Sequence, residues 1–304
     1  MKKDKLIIVG SVGIDTIETP SERHESILGG SASYACAAAS FFTDVGMVGV
    51  VGTDFPEAYR DVYRHFKIDV EGLQTAEGET FRWSGVYEDN MDHRRTLSTD
   101  LNIFASFAPE LPASYQQSPY LFLANISPDL QLYVLDQMEE LDFVVADTMD
   151  LWIDTARETL KQVIGRVDML TLNESEAKHL TEKNSLIQAG QELLNQGPQY
   201  ILIKKGEHGS LLLSQEGIFL IPAYPIEVVQ DPTGAGDSYA GGLMGMIASE
   251  GNDHQTAIRR AILYGSVVAS FGVEQFSLDA LQQITLEDIQ DRAKHFWRMI
   301  EIDD

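Results

Sequence analysis

The sequence predicts an α/β fold: a central, mostly parallel sheet with helical crossovers, and a small β-sheet lying over it. Three observations lead there. Short apolar, β-branched runs alternate with helix-forming runs along most of the 304 residues, as strands joined by right-handed crossovers do. Two segments, about 14–28 and 70–102, break that alternation and instead alternate polar with apolar residues, the pattern of half-exposed antiparallel strands. A hydrophobic content of 44% suits one large or two unequal globular domains. No linker or repeat divides the chain, so residues 1–304 are read as one domain with the two inserts as its lid.

The elements follow in order. "KLIIVGSV" is a short apolar run ending at glycine, hence a buried strand. "SASYACAAASFF" is a helix of small residues, "VGMVGVVG" a second buried strand, and "FPEAYRDVYRHF" a helix, with a strand expected after "KIDVEGL". "YLFLANI", "FVVADTM" and "VDMLTLN" read as strands separated by helical "PDLQLYVLDQME" and "TARETLKQVIGR". Helical "ESEAKHLT" and "SLIQAGQELLNQG" precede the strand "QYILIKKG" and the hairpin "GSLLLSQEGIFLIPAYP". Beyond "DPTGAGD" the chain is mostly helix.

Charge and composition narrow the function. Lys+Arg 22 against Asp+Glu 47 gives −25, a balance that opposes non-specific nucleic-acid binding. One cysteine, Cys36, permits no intramolecular disulfide and no multi-cysteine zinc site; among "YACAAAS" it reads as a packed helix thiol. The N-terminal apolar run is only "LIIV", too short for a secretory signal. No window approaches the ~18 apolar residues of a membrane span. A cytoplasmic protein without a membrane partner is expected. The seven histidines lack the spacing of a transition-metal site.

The stretch "DPTGAGDSYAGG", Asp231 to Gly242, carries the chemistry. A helix leaves a Gly-Ala-Gly turn with an aspartate in its first turn. That aspartate serves either as a dipole partner or cap, or as something sharper. Stripping side chains from a helix start lets an anion reach the backbone N–H groups. Residues Gly234, Ala235, Gly236 and Asp237 then form an anion hole. No G-x-x-x-x-G-K-[ST] occurs, so this is not a Walker-type loop. Phosphoryl transfer needs positioning and charge stabilisation, and Asp237 beside the hole would accept the proton of an attacking hydroxyl.

The stretch resembles the C-terminal signature D-T-x-G-A-G-D of the ribokinase, or PfkB carbohydrate kinase, family, with Pro232 where threonine is commoner. "GSVGID", "LGGSASYACAAASFF", "NESE" and "KKGEHG" precede it in the family's order, so the resemblance covers essentially the whole chain. It implies a ribokinase-like Rossmann-type sandwich with a β lid, and ATP with Mg2+. The implied reaction transfers the γ-phosphate to a hydroxymethyl group of a sugar or nucleoside, and the implied assembly is a homodimer through the lid. By resemblance, Asp15 hydrogen-bonds substrate hydroxyls, and the backbone of Gly29 and Gly30 lies against the substrate. Tyr34 stands where the family often has asparagine. A tyrosine there either stacks on a flat ring, such as a nucleoside base, or fills the lid hinge.

Asn173 and Glu176 in "NESE" form a capping-box pattern. By resemblance Glu176 also faces Mg2+ through water and Asn173 faces phosphate; the two roles are compatible. The resemblance further assigns Lys205, Gly206, Thr233, Gly236, Ala269 and Gly272 to the nucleotide, and Asp231 to a monovalent cation such as K+. Ser270 shares the small-residue stretch at the adenine side. In the lid, Arg82 and Trp83 stand out; the arginine either binds a phosphorylated substrate or is a solvated strand charge. The expected function is ATP-dependent phosphorylation of a primary hydroxyl on a sugar or ribonucleoside. The alternatives are a dedicated nucleoside kinase, and a catalytically silent sensor on the same fold. A Rossmann dehydrogenase fails because no G-x-G-x-x-G follows the first strand.

Overall fold

Two sheets organise the computed structural model, which describes residues 5–88, 91, 94–251 and 254–301. The strands are β1 (Leu6–Val9), β2 (Gly13–Glu18), β3 (Arg23–Gly29), β4 (Val45–Gly52), β5 (Asp69–Ala76), β6 (Phe81–Tyr87) and β7 (Arg94–Asp100). They continue with β8 (Tyr120–Leu123), β9 (Phe143–Asp147), β10 (Met169–Asn173), β11 (Tyr200–Lys204), β12 (Ser210–Ser214) and β13 (Gly217–Ile221). The large sheet runs β13-β12-β11-β10-β9-β8-β1-β4-β5. From β11 to β5 every pairing is parallel, and the β12–β13 hairpin closes one edge antiparallel.

β1 shows why the central strands read as unbroken apolar runs. Leu6 and Ile8 enter the core on one face, Ile7 and Val9 the core on the other, and all four are fully buried. A parallel sheet covered by helices on both faces leaves no solvent side to encode. Among the described residues no helix is long and apolar enough to cross a membrane.

The small sheet is β3-β2-β6-β7. Three residues separate β2 from β1, so this sheet springs from the C-terminal end of β1. The insert expected at 70–102 starts too early. Asp69–Ala76 pairs parallel with β4 at the edge of the large sheet, and only Gly72 and Leu73 of it are buried. An edge strand is half wet, so its alternation mimics that of a lid strand. Residues 89, 90, 92 and 93 of that insert lie outside the described residues. The helix Asp150–Thr155 is a further element that the sequence reading missed.

Two helices meet almost without side chains. A Cβ added to Gly241, in the helix Ala235–Glu250, would lie 2.2 Å from the Ala35 carbonyl oxygen of the helix Ser31–Ser40; one on Gly245 would lie 2.7 Å from the Ala39 carbonyl. Small residues bring the two backbones together. Cys36 is buried on this helix.

Candidate active site

The C-terminal ends of β9, β10 and β11 and the start of the helix Ala235–Glu250 bring the chemical groups together. Ligands of open α/β sheets sit at that end of the strands. The turn into the helix depends on Gly234, whose φ is 74°, and no side chain caps the helix start. Asp237 is therefore not a cap. Of the amides expected in the anion hole, that of Ala235 donates to the Pro232 carbonyl at 3.2 Å, because the left-handed glycine tightens the turn onto itself. Asp237 is half-buried. Burial, then the neighbouring Asp147 carboxylate, push its pKa from 3.8 to about 7, against the pull of Lys204 and Arg94. A carboxylate tuned near neutrality is suited to taking a proton.

Asp15 lies in β2, paired in register with Trp83 of β6, and is 3% exposed. Its pKa is pushed up to about 8 by burial and then by Asp231 and Asp237. Gly29 exists for this side chain: a Cβ there would lie 1.9 Å from Asp15 Oδ2. Gly30 has φ 95° and no room for a Cβ, since the Ser11 carbonyl would be 2.4 Å away. Asp15 Oδ1 has no hydrogen-bond partner among the described residues.

Tyr34 is not available to stack on a base. It is 3% exposed, and a Cβ on Gly234 would lie 2.4 Å from its ring. Its ring thus supports the turn that opens the Asp237 helix. The hydroxyl behaves differently. Tyr34 Oη is buried without a hydrogen-bond partner among the described residues, and Asp231, Asp15, Tyr87 and Asp237 all act on it electrostatically. Two orphaned polar atoms, Tyr34 Oη and Asp15 Oδ1, thus stand in one acidic neighbourhood. Buried polar atoms without partners carry a desolvation cost, and a ligand hydroxyl would relieve it.

On the nucleotide side, Asn173 and Glu176 form the complete capping box. Glu176 Oε2 accepts from the Asn173 amide at 2.7 Å, and Asn173 Oδ1 accepts from the Glu176 amide at 2.8 Å. Glu176 is buried, and burial followed by Asp147 pushes its pKa to about 8. Of the two lysines ending β11, Lys204 faces the site. Its Nζ lies 2.7 Å from Asp147 Oδ2 and 3.3 Å from where a Cβ on Gly236 would be. Lys205, the next residue, has left the strand at φ −127° and ψ 29° and lies within electrostatic reach of Glu174. Gly206, at φ 54°, begins the turn after Lys205 and has nothing near its missing Cβ. Asp147 and Lys204 were absent from the sequence-based site, although a carboxylate ending the buried strand "FVVAD" was a usable signal.

Thr233 reaches the lid: its Oγ1 lies 3.0 Å from the hydroxyl of Tyr87 in β6. Asp231 is buried and accepts the Thr233 amide at 2.9 Å and the Ser277 amide at 3.4 Å. Ala269 and Gly272 lie near the C-terminal end of the helix His254–Gly272; a Cβ on Gly272 would lie 3.8 Å from Ser238 Oγ, one residue past Asp237. Ser270 Oγ accepts from Arg292 at 3.0 Å. Arg82 is tied to Asp54 at 2.8 Å, and Asp54 also holds the Thr80 amide and hydroxyl.

The chain as a whole is similar to known proteins. The family described as pfkB family carbohydrate kinase matches residues 3–281. The cytidine kinase of Thermococcus kodakarensis is 29% identical over 246 residues, covering 79% of this chain and 87% of that protein. The nucleoside kinase of Methanothermobacter thermautotrophicus is 28% identical over 314 residues, covering 97% of each. A putative ribokinase II from E. coli, solved in complex with ATP and Mg2+, superposes with a TM-score of 0.78 at 16% identity, covering 96% of this chain and 99% of that one.

Proposed function

The chain belongs to the pfkB family of carbohydrate kinases, ATP-dependent enzymes that phosphorylate sugars or nucleosides, and from that premise we propose that its acceptor is the primary hydroxyl of an uncharged ribonucleoside. The observation that carries this reading is the orphaned pair Asp15 Oδ1 and Tyr34 Oη beside Asp231 and Asp237. Such a site offers the hydroxyl groups of a ribose partners to bond with. Arg82, one lid cation that could have met a phosphorylated substrate, is paired with Asp54. Similarity to cytidine and nucleoside kinases supports a nucleoside over a free sugar.

In this reading Asp15 and Tyr34 orient the acceptor, and Gly29 keeps the space around the Asp15 carboxylate open. Asp237 takes the hydroxyl proton as the oxygen attacks. The start of the Asp237 helix receives the phosphoryl group, where the helix dipole favours negative charge. The lid would close to exclude water. A silent sensor would have no need of a base tuned to about 7.

Mg2+ suits the oxygen donors present. Buried Glu176, with Asp147 raising its pKa, marks a place where negative charge is crowded. No three His, Cys, Asp or Glu side chains among the described residues converge as a metal cage, so Glu176 would hold the ion through its waters, with Asn173 toward the phosphate. When bound, the ion would supply positive charge against the nucleotide phosphates. K+ beside Asp231 would likewise relieve a buried carboxylate whose pKa is raised chiefly by burial; rate dependence on K+ against Na+ checks it. Dimerisation through the lid would use the wholly exposed β7, and light scattering on lid variants reads it. A cytoplasmic location, without nucleic-acid or membrane partners, accords with the ATP requirement and the net charge of −25.

The deciding experiment couples ADP release to absorbance over cytidine, other nucleosides, ribose, fructose and sugar phosphates. A nucleoside should give the highest kcat/KM. A free sugar or sugar phosphate outperforming every nucleoside would end the nucleoside reading.

A further inference from the structure

We propose that Lys204 is a catalytic residue: its ammonium group binds the phosphoryl group during transfer, and Asp147 is the positioning residue that holds it over the Gly-Ala-Gly turn. The proposal rests on the kinase reading above and deepens it.

Geometry comes first. Lys204 is the last residue of β11 and its side chain is only 15% exposed. Its Nζ lies 2.7 Å from Asp147 Oδ2 and 3.3 Å from the Cβ position of Gly236. Gly236 has no positive φ, so backbone freedom does not explain the glycine. Its bare Cα leaves a gap between the first turn of the Asp237 helix and the ammonium group. An anion in that gap meets helix N–H groups on one side and Lys204 on the other.

Charge balance comes second. A structural ion pair in a protein interior matches one cation to one anion. Here Lys204 stands within reach of three carboxylates: those of Asp147, Glu176 and Asp237 all act on it. Asp147 Oδ1 meanwhile accepts the Thr148 amide at 2.9 Å, which fixes the carboxylate that holds the lysine. The ammonium group has three donors, so one can stay on Asp147 while others serve the phosphoryl oxygens.

The step balances without further reactants. The acceptor oxygen forms its bond to the γ-phosphorus as the bond from that phosphorus to the β–γ bridging oxygen breaks. The electron pair of the broken bond departs on ADP, and the hydroxyl proton goes to Asp237. Lys204 donates hydrogen bonds to oxygens of the transferred group and transfers no proton.

The test compares wild type with Lys204→Met, Lys204→Arg, Asp147→Asn and the double variant Lys204→Met/Asp147→Asn, on the best acceptor found by the screen. Lys204→Met should lower kcat by roughly 10²–10³-fold, the usual loss of one transition-state donor, while acceptor KM moves only a few-fold. Calorimetry supplies a readout besides turnover. ADP with aluminium fluoride, a mimic of the transferring phosphoryl, should lose at least about 100-fold in affinity, ADP alone less than about 10-fold. Lys204→Arg should recover part of both. The double variant covers a folding defect, because it leaves no buried unpaired charge from this pair. If it regains wild-type kcat within about threefold, Lys204 only neutralises Asp147 and the proposal is overturned. Wild type that transfers no phosphate to any acceptor would overturn the kinase reading itself, and this proposal with it.

Discussion

Replacing Asp15 with asparagine keeps the side-chain shape and removes its charge, and the stability effect should depend on pH. The carboxyl is 3% exposed, Oδ1 has no partner among the described residues, and burial with Asp231 and Asp237 moves its pKa from 3.8 to about 8. A raised folded-state pKa means that the folded protein binds the proton more tightly than the unfolded chain does. Its stabilising effect is complete below the unfolded value and is lost as pH rises through the folded one. Each pKa unit corresponds to about 1.4 kcal/mol, so a carboxyl titrating alone would lose roughly 3 kcal/mol between pH ~6 and ~9. Asp231 and Asp237 share the titration, which lowers this to roughly 1–3 kcal/mol. For a chain of this size that is about 2–6 °C in Tm. Calorimetric melts of both proteins at two pH values isolate the effect, because the amide does not titrate and any packing difference cancels. The Tm advantage of Asp15→Asn over wild type should be larger at pH ~9 than at pH ~6 by that amount. An offset identical at both pH values would refute the reasoning.

Three other expectations concern activity. Asp237→Asn should cut kcat by about 10²–10⁴-fold while ADP binding by calorimetry stays near wild type, and more than about a tenth of wild-type kcat would rule out the base role. The acid limb of kcat/KM should report the unliganded carboxylate, with activity falling as pH drops through about 7; a flat profile from pH ~8 to ~5 would contradict it. Tyr34→Phe keeps the ring beneath Gly234 and removes only the hydroxyl, so acceptor KM should rise roughly 10-fold or more with little change in Tm; unchanged KM would leave Tyr34 as packing alone. Strands β2, β3, β6 and β7 should gain hydrogen-exchange protection when the acceptor saturates, and unchanged exchange would argue against a closing lid.

The parts of the site that were legible in the sequence are those in which a local pattern and a chemical role coincide. Asp237 follows a turn of small residues, and Asn173 with Glu176 is a capping box whichever ligand it serves. What stayed hidden depends on packing between distant segments. Nothing local tells that Lys204 faces inward; a carboxylate 57 residues away holds it there. Tyr34 reads locally as a free aromatic, and only the Gly234 turn laid on its ring makes it a support. β5 was drawn into the lid because an exposed edge of the large sheet and a half-exposed lid strand have the same polarity pattern.

The backbone-to-backbone contact at Gly241 and Gly245 has a mechanical consequence. Where two helices are separated by side chains, a misfit is absorbed by rotamer changes and goes no further. Here carbonyl oxygens of Ala35 and Ala39 already lie within 2.2 and 2.7 Å of the missing Cβ atoms, and nothing compressible lies between. A single added methyl must displace the whole rod. Its leading end, roughly 9 Å from Gly241 at 1.5 Å per residue, is the turn that carries Asp237. Errors at this contact therefore reach the Asp237 end undiminished, and, if Asp237 acts as proposed, damage far from it would register first as lost turnover.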